Sequence, residues 1–130
     1  MKRRIWMLMA VMCLSLPAWG GTQKDYLYQR DVNIPAFQTL REFFDMPNRP
    51  GTYQIVLVSD SIGPLTFRVI RVKGEQEHTV KQKRSYRLEH HEFETTFENP
   101  HGAYDLIVEI ANSNPAASAK VTVSVFQLSR

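Results

Sequence analysis

The sequence is poor in cysteine and tryptophan, and both residue types are confined to one stretch. The single cysteine, Cys13, and the two tryptophans, Trp6 and Trp19, lie within the first 20 of the 130 residues. The rest of the chain therefore has no thiol that could form a disulfide, bind a metal or act as a nucleophile. Without such cross-links, its stability must come mainly from burying apolar surface.

The sequence also lacks the short motifs that accompany common enzyme chemistries. It contains no Gly-x-Ser-x-Gly elbow and no glycine-rich phosphate loop. Acidic residues are present, but no spacing brings two of them together as an acid–base pair. Ser59-Asp60-Ser61, just before Gly63-Pro64, is typical of a tight turn. The sequence therefore predicts a protein that is not an enzyme and that needs no cofactor.

An excess of charge of one sign is absent once the N-terminus is set aside. The chain has 16 basic and 13 acidic residues, and Lys2, Arg3 and Arg4 account for the whole difference. The remaining chain is formally neutral. This balance argues against nucleic acid as a partner and against binding to an anionic membrane surface.

The N-terminus has the layout of an export signal. Three basic residues precede an apolar run that is too short for a membrane span of about 20 residues, and Pro17 and small residues follow it. This pattern predicts a secretory signal peptide over residues 1–20, cleaved after Gly20, and hence a periplasmic or secreted protein. A retained anchor is one alternative. A lipoprotein cut before Cys13 is another, although Met12 stands where that signal normally carries a small residue.

Two runs near the C-terminus alternate between apolar and polar residues. In the first, Tyr104, Leu106, Val108 and Ile110 share one face, and in the second Val121, Val123 and Val125 do. A period of two is typical of strands with one buried face. The small and polar residues 112–118 lie between the runs, so the sequence predicts an antiparallel hairpin here.

Two further strands are predicted upstream, over residues 52–60 and 65–73, with a turn at 61–64. Tyr26, Tyr28 and Val32 suggest a short edge strand with these residues on one side. Phe37, Leu40, Phe43 and Phe44 fall near helical spacing, which predicts a short helix over 35–45; a strand is the alternative, because Phe37, Thr39, Arg41 and Phe43 also alternate. Together these elements predict an all-β, jelly-roll-like antiparallel sandwich of about seven or eight strands, forming one domain over 21–130.

The phrase Gly-x-Tyr stands before two of the predicted strands, at Gly51-Thr-Tyr53 and at Gly102-Ala-Tyr104. With the alternating runs over Gly51–Lys73 and Gly102–Leu128, it resembles the bacterial pre-peptidase C-terminal domains and other small jelly-roll modules. That resemblance implies a β-sandwich. It names no active-site residue.

The segment Val80–Asn99 carries the densest charge. If the chain reverses at Glu89-His90, a hairpin places Arg87 opposite Glu92 and Lys81 opposite Glu98, which predicts a self-neutralising face exposed to solvent. The competing interpretation is a free basic stripe that docks an acidic partner or a sulfated or phosphorylated glycan. Its candidate binding residues are Lys81, Lys83, Arg84, Tyr86 and Arg87.

Histidines raise the possibility of a metal site. His90 and His91 are adjacent and, on a strand, would face opposite ways; together with His78 and His101 they match no defined zinc or copper spacing. A metal-binding protein using these four residues therefore ranks below the other hypotheses.

These observations favour an exported, non-enzymatic module that recognises a protein partner, as an inhibitor, immunity protein or assembly component would. A carbohydrate-binding sandwich is the main alternative, with Tyr26, Tyr28, Tyr86 and Phe126 as the candidate aromatic platform. Edge strands at either end of the chain could also pair with a second copy, which leaves self-association open.

Overall fold

The computed structural model describes residues 23–86 and 90–129, and these residues form a sandwich of two four-stranded antiparallel sheets. The strands are β1 Gln23–Ile34, β2 Thr39–Phe44, β3 Gly51–Ser59, β4 Leu65–Lys73, β5 Gln76–Ser85, β6 His91–Asn99, β7 Asp105–Asn112 and β8 Ala119–Ser129. The first sheet has the order β1-β8-β3-β6 and the second β2-β7-β4-β5. This order is that of an eight-stranded jelly roll, so the predicted fold class is confirmed.

The predicted signal peptide lies outside the described residues. Among the residues that are described, no helix is long and apolar enough to cross a membrane.

The core lies between the sheets, and the alternation of the sequence correctly identified much of it. Val121, Val123 and Val125 of β8 are buried, and so are Leu106, Val108 and Ile110 of β7. Each set projects from one face of its strand, as a period of two requires. The two sets belong to one apolar cluster, which also takes in the rings of Phe44, Phe67, Phe93 and Phe97.

The two predicted hairpins, at the C-terminus and over Val80–Asn99, are wrong. β7 pairs with β2 and β4, whereas β8 pairs with β1 and β3 in the other sheet. Likewise β5 pairs with β4, and β6 with β3. Residues 113–118 therefore cross from one sheet to the other, and β5 and β6 likewise lie in different sheets. Lys81 stands opposite Val69 and Glu98 opposite Thr52, so the proposed Lys81–Glu98 pair does not form.

The predicted helix over 35–45 is also wrong, and the strand alternative is confirmed over Thr39–Phe44. β2 pairs with β7, which places Leu40 beside Ile110 and Phe44 beside Leu106 on the core side. Phe43 points to the outside and stays exposed. Tertiary pairing with β7 thus overrides a helical spacing that could bury only one side of a short helix.

A β-bulge in β1 separates two tyrosines that were predicted to share a face. The register shifts between Tyr26 and Tyr28: Tyr26 lies opposite Phe126, and Tyr28 lies opposite Val125. Because Val125 faces the core and Phe126 does not, Tyr28 turns inward and Tyr26 turns outward. Tyr28 packs on Phe44, with ring centroids 5.3 Å apart.

The two Gly-x-Tyr phrases meet at one end of the sandwich, around Arg49. Gly102 has a φ of 64°, and a Cβ there would lie 2.5 Å from the Arg49 amide nitrogen, so only glycine fits. The Tyr53 hydroxyl donates to the Arg49 carbonyl at 3.3 Å. Burial raises the pKa of this phenol, and the Arg49 charge partly opposes that shift.

Charged side chains on the core-facing side of edge strands close the open sides of the sandwich. At one side, Arg30 of β1 pairs with Glu42 of β2 at 3.3 Å, and its guanidinium lies 4.5 Å from the Phe44 ring centroid. At the other side, Lys81 of β5 donates to the Glu94 carbonyl of β6 at 2.8 Å. Such inward charges protect edges from pairing with other chains. Of the two terminal strands suggested for self-association, β1 is an edge strand, but β8 is central.

Candidate functional site

All four connections that follow β1, β3, β5 and β7 emerge at the same end of the sandwich. The registers require this, because Ile34 lies beside Ala119, Ser59 beside His91, and Leu65 beside both Ser85 and Asn112. We call this the loop end. It comprises residues 35–38, 60–64 and 113–118 and the described residues of 86–90.

The loop end carries an unusual share of exposed apolar side chains. Five large hydrophobic residues are exposed in the described part of the chain, and three of them lie here: Phe37 at 75%, Ile62 at 64% and Tyr86 at 71%. Each comes from a different connection. Exposed apolar groups that cluster in this way are typical of surfaces that contact a partner.

Phe37 is held in a strained conformation. Its φ is 61°, and it is the only residue other than glycine with a positive φ among the described residues. A left-handed backbone costs an L-residue about 1–2 kcal/mol, and bulky residues rarely adopt it. The Phe37 amide donates to the Asn114 carbonyl at 3.0 Å, which fixes the strained turn against the neighbouring connection.

Two asparagines join the connections to one another. The side-chain Nδ2 of Asn112 donates to the Ile34 carbonyl at 3.2 Å and to the Ala117 carbonyl at 2.9 Å. The Asn114 side chain donates to the Ile62 carbonyl at 3.1 Å and accepts from the Ala116 amide at 2.8 Å. Asn114 thus bonds both the strand-to-strand turn that presents Phe37 and the one that presents Ile62. The loop end is therefore a pre-organised surface.

A buried histidine secures the far side of the loop end. His91 Nδ1 lies 2.6 Å from Ser85 Oγ, and its Nε2 lies 3.0 Å from the Ser61 carbonyl. Because a carbonyl only accepts, Nε2 carries a hydrogen and donates it. The ring also meets Phe67 edge-on, at 6.3 Å between centroids. His91 therefore ties β6 to the end of β5 and to the turn that carries Ile62.

The four histidines proposed as metal ligands are not brought together. His90 is exposed and lies 3.2 Å from Asp60, while His91 points into the sandwich, as alternation on a strand requires. His78 is exposed on β5, and His101 is exposed in the connection at the opposite end. Within the described residues, no three His, Cys, Asp or Glu side chains gather as metal ligands.

The basic residues of β5 do not form one stripe. Lys81 and Lys83 lie opposite Val69 and Phe67, on the core-facing side of the sheet edge, and the Lys81 ammonium sits 5.2 Å from the Phe93 ring centroid. Arg84 lies opposite Thr66, on the other side. Arg87 is outside the described residues. The predicted patch is thus divided between two faces of the strand.

One part of the predicted patch does reach the loop end. The Arg84 guanidinium lies 5.2 Å from the Tyr86 ring centroid, a cation–π contact. Phe37, Ile62 and the two asparagines were not predicted from the sequence as site residues. The available signal was Asn112-Ser-Asn114-Pro115, because asparagine side chains commonly bond nearby backbone groups in turns.

Comparison with known proteins supports the fold and does not assign a family. No family model and no curated protein matches the chain. Among solved structures, the Yersinia pseudotuberculosis-derived mitogen matches with a TM-score of 0.59 and 14% identity, over 79% of this chain and 86% of that one. PirA matches with a TM-score of 0.52 and 15% identity, over 79% of this chain and 95% of that one.

At these identities the likeness concerns the fold alone. It places the chain among small β-sandwich, jelly-roll-like folds, which is the part of the sequence resemblance that is confirmed. No match to a pre-peptidase C-terminal domain accompanies it.

Proposed function

We propose that this chain is an exported, non-enzymatic binding module that recognises a protein partner through the loop end. The proposal rests on one observation: the side chains of Phe37, Ile62 and Tyr86 are exposed together at the loop end. The connections that carry Phe37 and Ile62 are joined by hydrogen bonds through Asn114. Buried aromatic and aliphatic anchors dominate the affinity of many protein interfaces. The export component rests on the N-terminal sequence pattern.

The backbone polar groups of the loop end are already hydrogen-bonded, which favours a partner with an apolar surface. Its backbone amides and carbonyls bond one another. The Ser113 backbone N–H donates to the Pro64 carbonyl at 3.1 Å, and the Asn112 backbone N–H donates to the Gln38 carbonyl at 2.8 Å. A partner would therefore meet side chains more than free backbone groups. A surface that is already rigid also loses less conformational entropy on binding.

Strain at Phe37 gives the proposal a sharp test. Replacing Phe37 with asparagine, which tolerates positive φ, should stabilise the fold by about 1 kcal/mol, because the left-handed turn no longer carries a bulky side chain. The same change removes an anchor and should weaken partner binding at least about tenfold. A gain in stability with a loss of binding is not expected of a purely structural residue.

The experiment uses the chain with its signal and a C-terminal tag, recovered from the periplasm of the expressing cell after cross-linking. Co-purifying proteins are identified by mass spectrometry, and the dominant one is then titrated against purified wild type, Phe37→Asn and Ile62→Asn. Phe43→Asn is the matched control, because Phe43 is an exposed aromatic residue away from the loop end. Equal affinities for all four proteins, or no stoichiometric partner, would contradict the proposal.

A further inference from the structure

The outer face of the first sheet carries a second candidate site, which does not depend on the proposed function. We infer that it binds a neutral oligosaccharide made of pyranose rings. The site consists of Tyr26, Phe126, Gln54, Thr96 and Glu94, and we call it the aromatic–amide patch. It is built from all four strands of the sheet.

Strand register places these residues side by side. Tyr26 of β1 lies opposite Phe126 of β8, Phe126 lies opposite Gln54 of β3, and Gln54 lies opposite Thr96 of β6. This row runs straight across the outer surface. The bulge after Tyr26 is essential, because without the shift the tyrosine side chain would face the core.

Tyr26 offers an open aromatic surface. It is 67% exposed, and its ring packs on Phe126 with centroids 4.5 Å apart and a tilt of 49°. Phe126 is itself only partly buried, and the Lys24 ammonium lies 5.7 Å from its centroid. One side of Tyr26 is thus supported while the other faces solvent. An aromatic face is electron-rich and apolar, which suits the C–H groups on the flat side of a pyranose.

Gln54 supplies an unused hydrogen-bond acceptor next to these rings. The residue is only 5% exposed; its Nε2 donates to Glu94 Oε1, while its Oε1 has no hydrogen-bond partner among the described residues. A buried acceptor without a partner is destabilising and uncommon. The oxygen itself is buried, so a sugar hydroxyl, which is a small donor, would satisfy it only after a neighbouring side chain of the patch moves aside. Tyr26 and Gln54 therefore offer the two kinds of contact that a saccharide needs.

The charge of the face selects among saccharides. Glu92, Glu94 and Glu98 all point outward along β6, since they lie opposite Val58, Val56 and Thr52 of β3. On the other side of β3, Lys24 of β1 lies against the Phe126 ring, and Lys120 lies near the start of β8. Glu94 contacts Gln54, and together with Glu92 and Glu98 on the same face it can accept hydrogen bonds from hydroxyl groups but repels sulfate and phosphate. This favours a neutral ligand and disfavours a sulfated glycan or a nucleic acid.

The test uses the chain from Gly21 to Arg130 and four neutral probes: cellohexaose, maltohexaose, mannohexaose and chitohexaose. Each probe is titrated into ¹⁵N-labelled protein, and amide chemical shifts are followed. We expect at least one probe to shift the Gln54 side-chain amide and the Tyr26 and Thr96 backbone amides. Tyr26→Ala and Gln54→Met should each lower the affinity for that probe by about tenfold or more. Phe43→Ala, on the other sheet, should bind as wild type does.

Several outcomes would overturn the inference. These are the absence of binding by all four probes, binding that both variants retain, and binding of a heparin hexasaccharide in preference to the neutral probes. A fourth is a protein partner whose binding Tyr26→Ala and Gln54→Met abolish while saccharide binding persists. Because Phe37 and Ile62 are not part of this patch, the variants of the loop end should leave saccharide binding unchanged.

Discussion

The outer faces of the two sheets differ in how far the protein's own side chains cover them. On the first sheet, the aromatic–amide patch has an exposed ring at the surface and a buried amide oxygen that has no hydrogen-bond partner among the described residues. On the second sheet, Ile70, Val72 and Ile107 form an apolar cluster that is buried although it lies outside the main core. On the second face the protein's own side chains cover this cluster, although Phe43 of the edge strand β2 stays exposed there.

Ion pairs provide the closure of the second sheet. Arg41 of β2 reaches Glu77 of β5 at 2.9 Å, so the pair joins the two edge strands across β7 and β4, where Ile107 and Ile70 lie. Glu109 lies 3.8 Å from Arg41 and 3.7 Å from Arg68. The hydrocarbon stems of such long side chains can cover apolar surface while their charges remain in water.

This difference teaches that exposure has to be judged from what covers a face as well as from alternation along a strand. Ile70 and Val56 both point outward from central strands, yet Ile70 is fully buried and Val56 is only partly so. A ligand is therefore expected on the first sheet, where no comparable network crosses the surface among the described residues.

The largest expected effect comes from placing the same polar side chain on each outer face. Ile70→Asn should destabilise the fold by about 3 kcal/mol, because it removes buried apolar surface and buries an unpaired amide. Val56→Asn should cost no more than about 1 kcal/mol, since that side chain can reach water. Urea denaturation of both variants measures the two values. Similar losses of stability in the two variants would mean that both outer faces are covered to the same extent.

A smaller effect is expected from removing the unsatisfied oxygen. Gln54→Met keeps the length of the side chain and removes the unpaired buried acceptor; because the bond that it also loses goes to Glu94, whose carboxylate is exposed and can bond water instead, the fold should gain up to about 1 kcal/mol. Gln127→Met is the matched control, since the Gln127 oxygen accepts from Arg49 at 2.6 Å and that bond would be lost. Thermal melting should move up for the first variant and stay level or fall for the second. A lower melting temperature for Gln54→Met would contradict the prediction and would mean that the hydrogen bond to Glu94 contributes more to stability than the unpaired oxygen costs.

The smallest effect concerns the ion pairs. Arg41→Gln should cost less than about 1 kcal/mol at low salt, because both Arg41 and Glu77 are partly exposed and screened by water. The loss should shrink at about 1 M salt, where the Debye length is near 3 Å. Denaturation at low and high salt measures the change. A loss that does not depend on salt would indicate that the arginine stem, more than its charge, covers the isoleucines.

The sequence was sufficient for the fold class and for much of the buried surface. Alternation at Leu106, Val108 and Ile110 and at Val121, Val123 and Val125 identified core faces correctly, because burial of one strand face is a local property. It could not say which strands pair. Among the eight strands only β4 and β5 are neighbours both in sequence and in a sheet, so the assumption that successive strands form hairpins failed.

The candidate sites were harder to predict, because they depend on register. Tyr26 and Phe126 were both named as candidate platform residues, but only the bulge in β1 brings them together on the outside. Gln54 gave no sequence signal, since its importance lies in the partner that its oxygen lacks. Lys81 and Lys83 were predicted as binding residues because of their charge. In the structure, Lys81 donates a hydrogen bond to the Glu94 carbonyl and so closes one open side of the sandwich.

The jelly-roll order has a consequence for when this chain can fold. β1 is made early, yet its ladder partner is β8, with Ile34 beside Ala119 and Lys24 beside Leu128. β8 also separates β1 from β3, so the first sheet cannot close before the final strand leaves the ribosome. Contacts between distant parts of a chain form slowly. A nascent chain with this topology is therefore expected to stay unfolded until β8 has been made, which is compatible with the export that we propose, because a membrane channel requires an unfolded substrate.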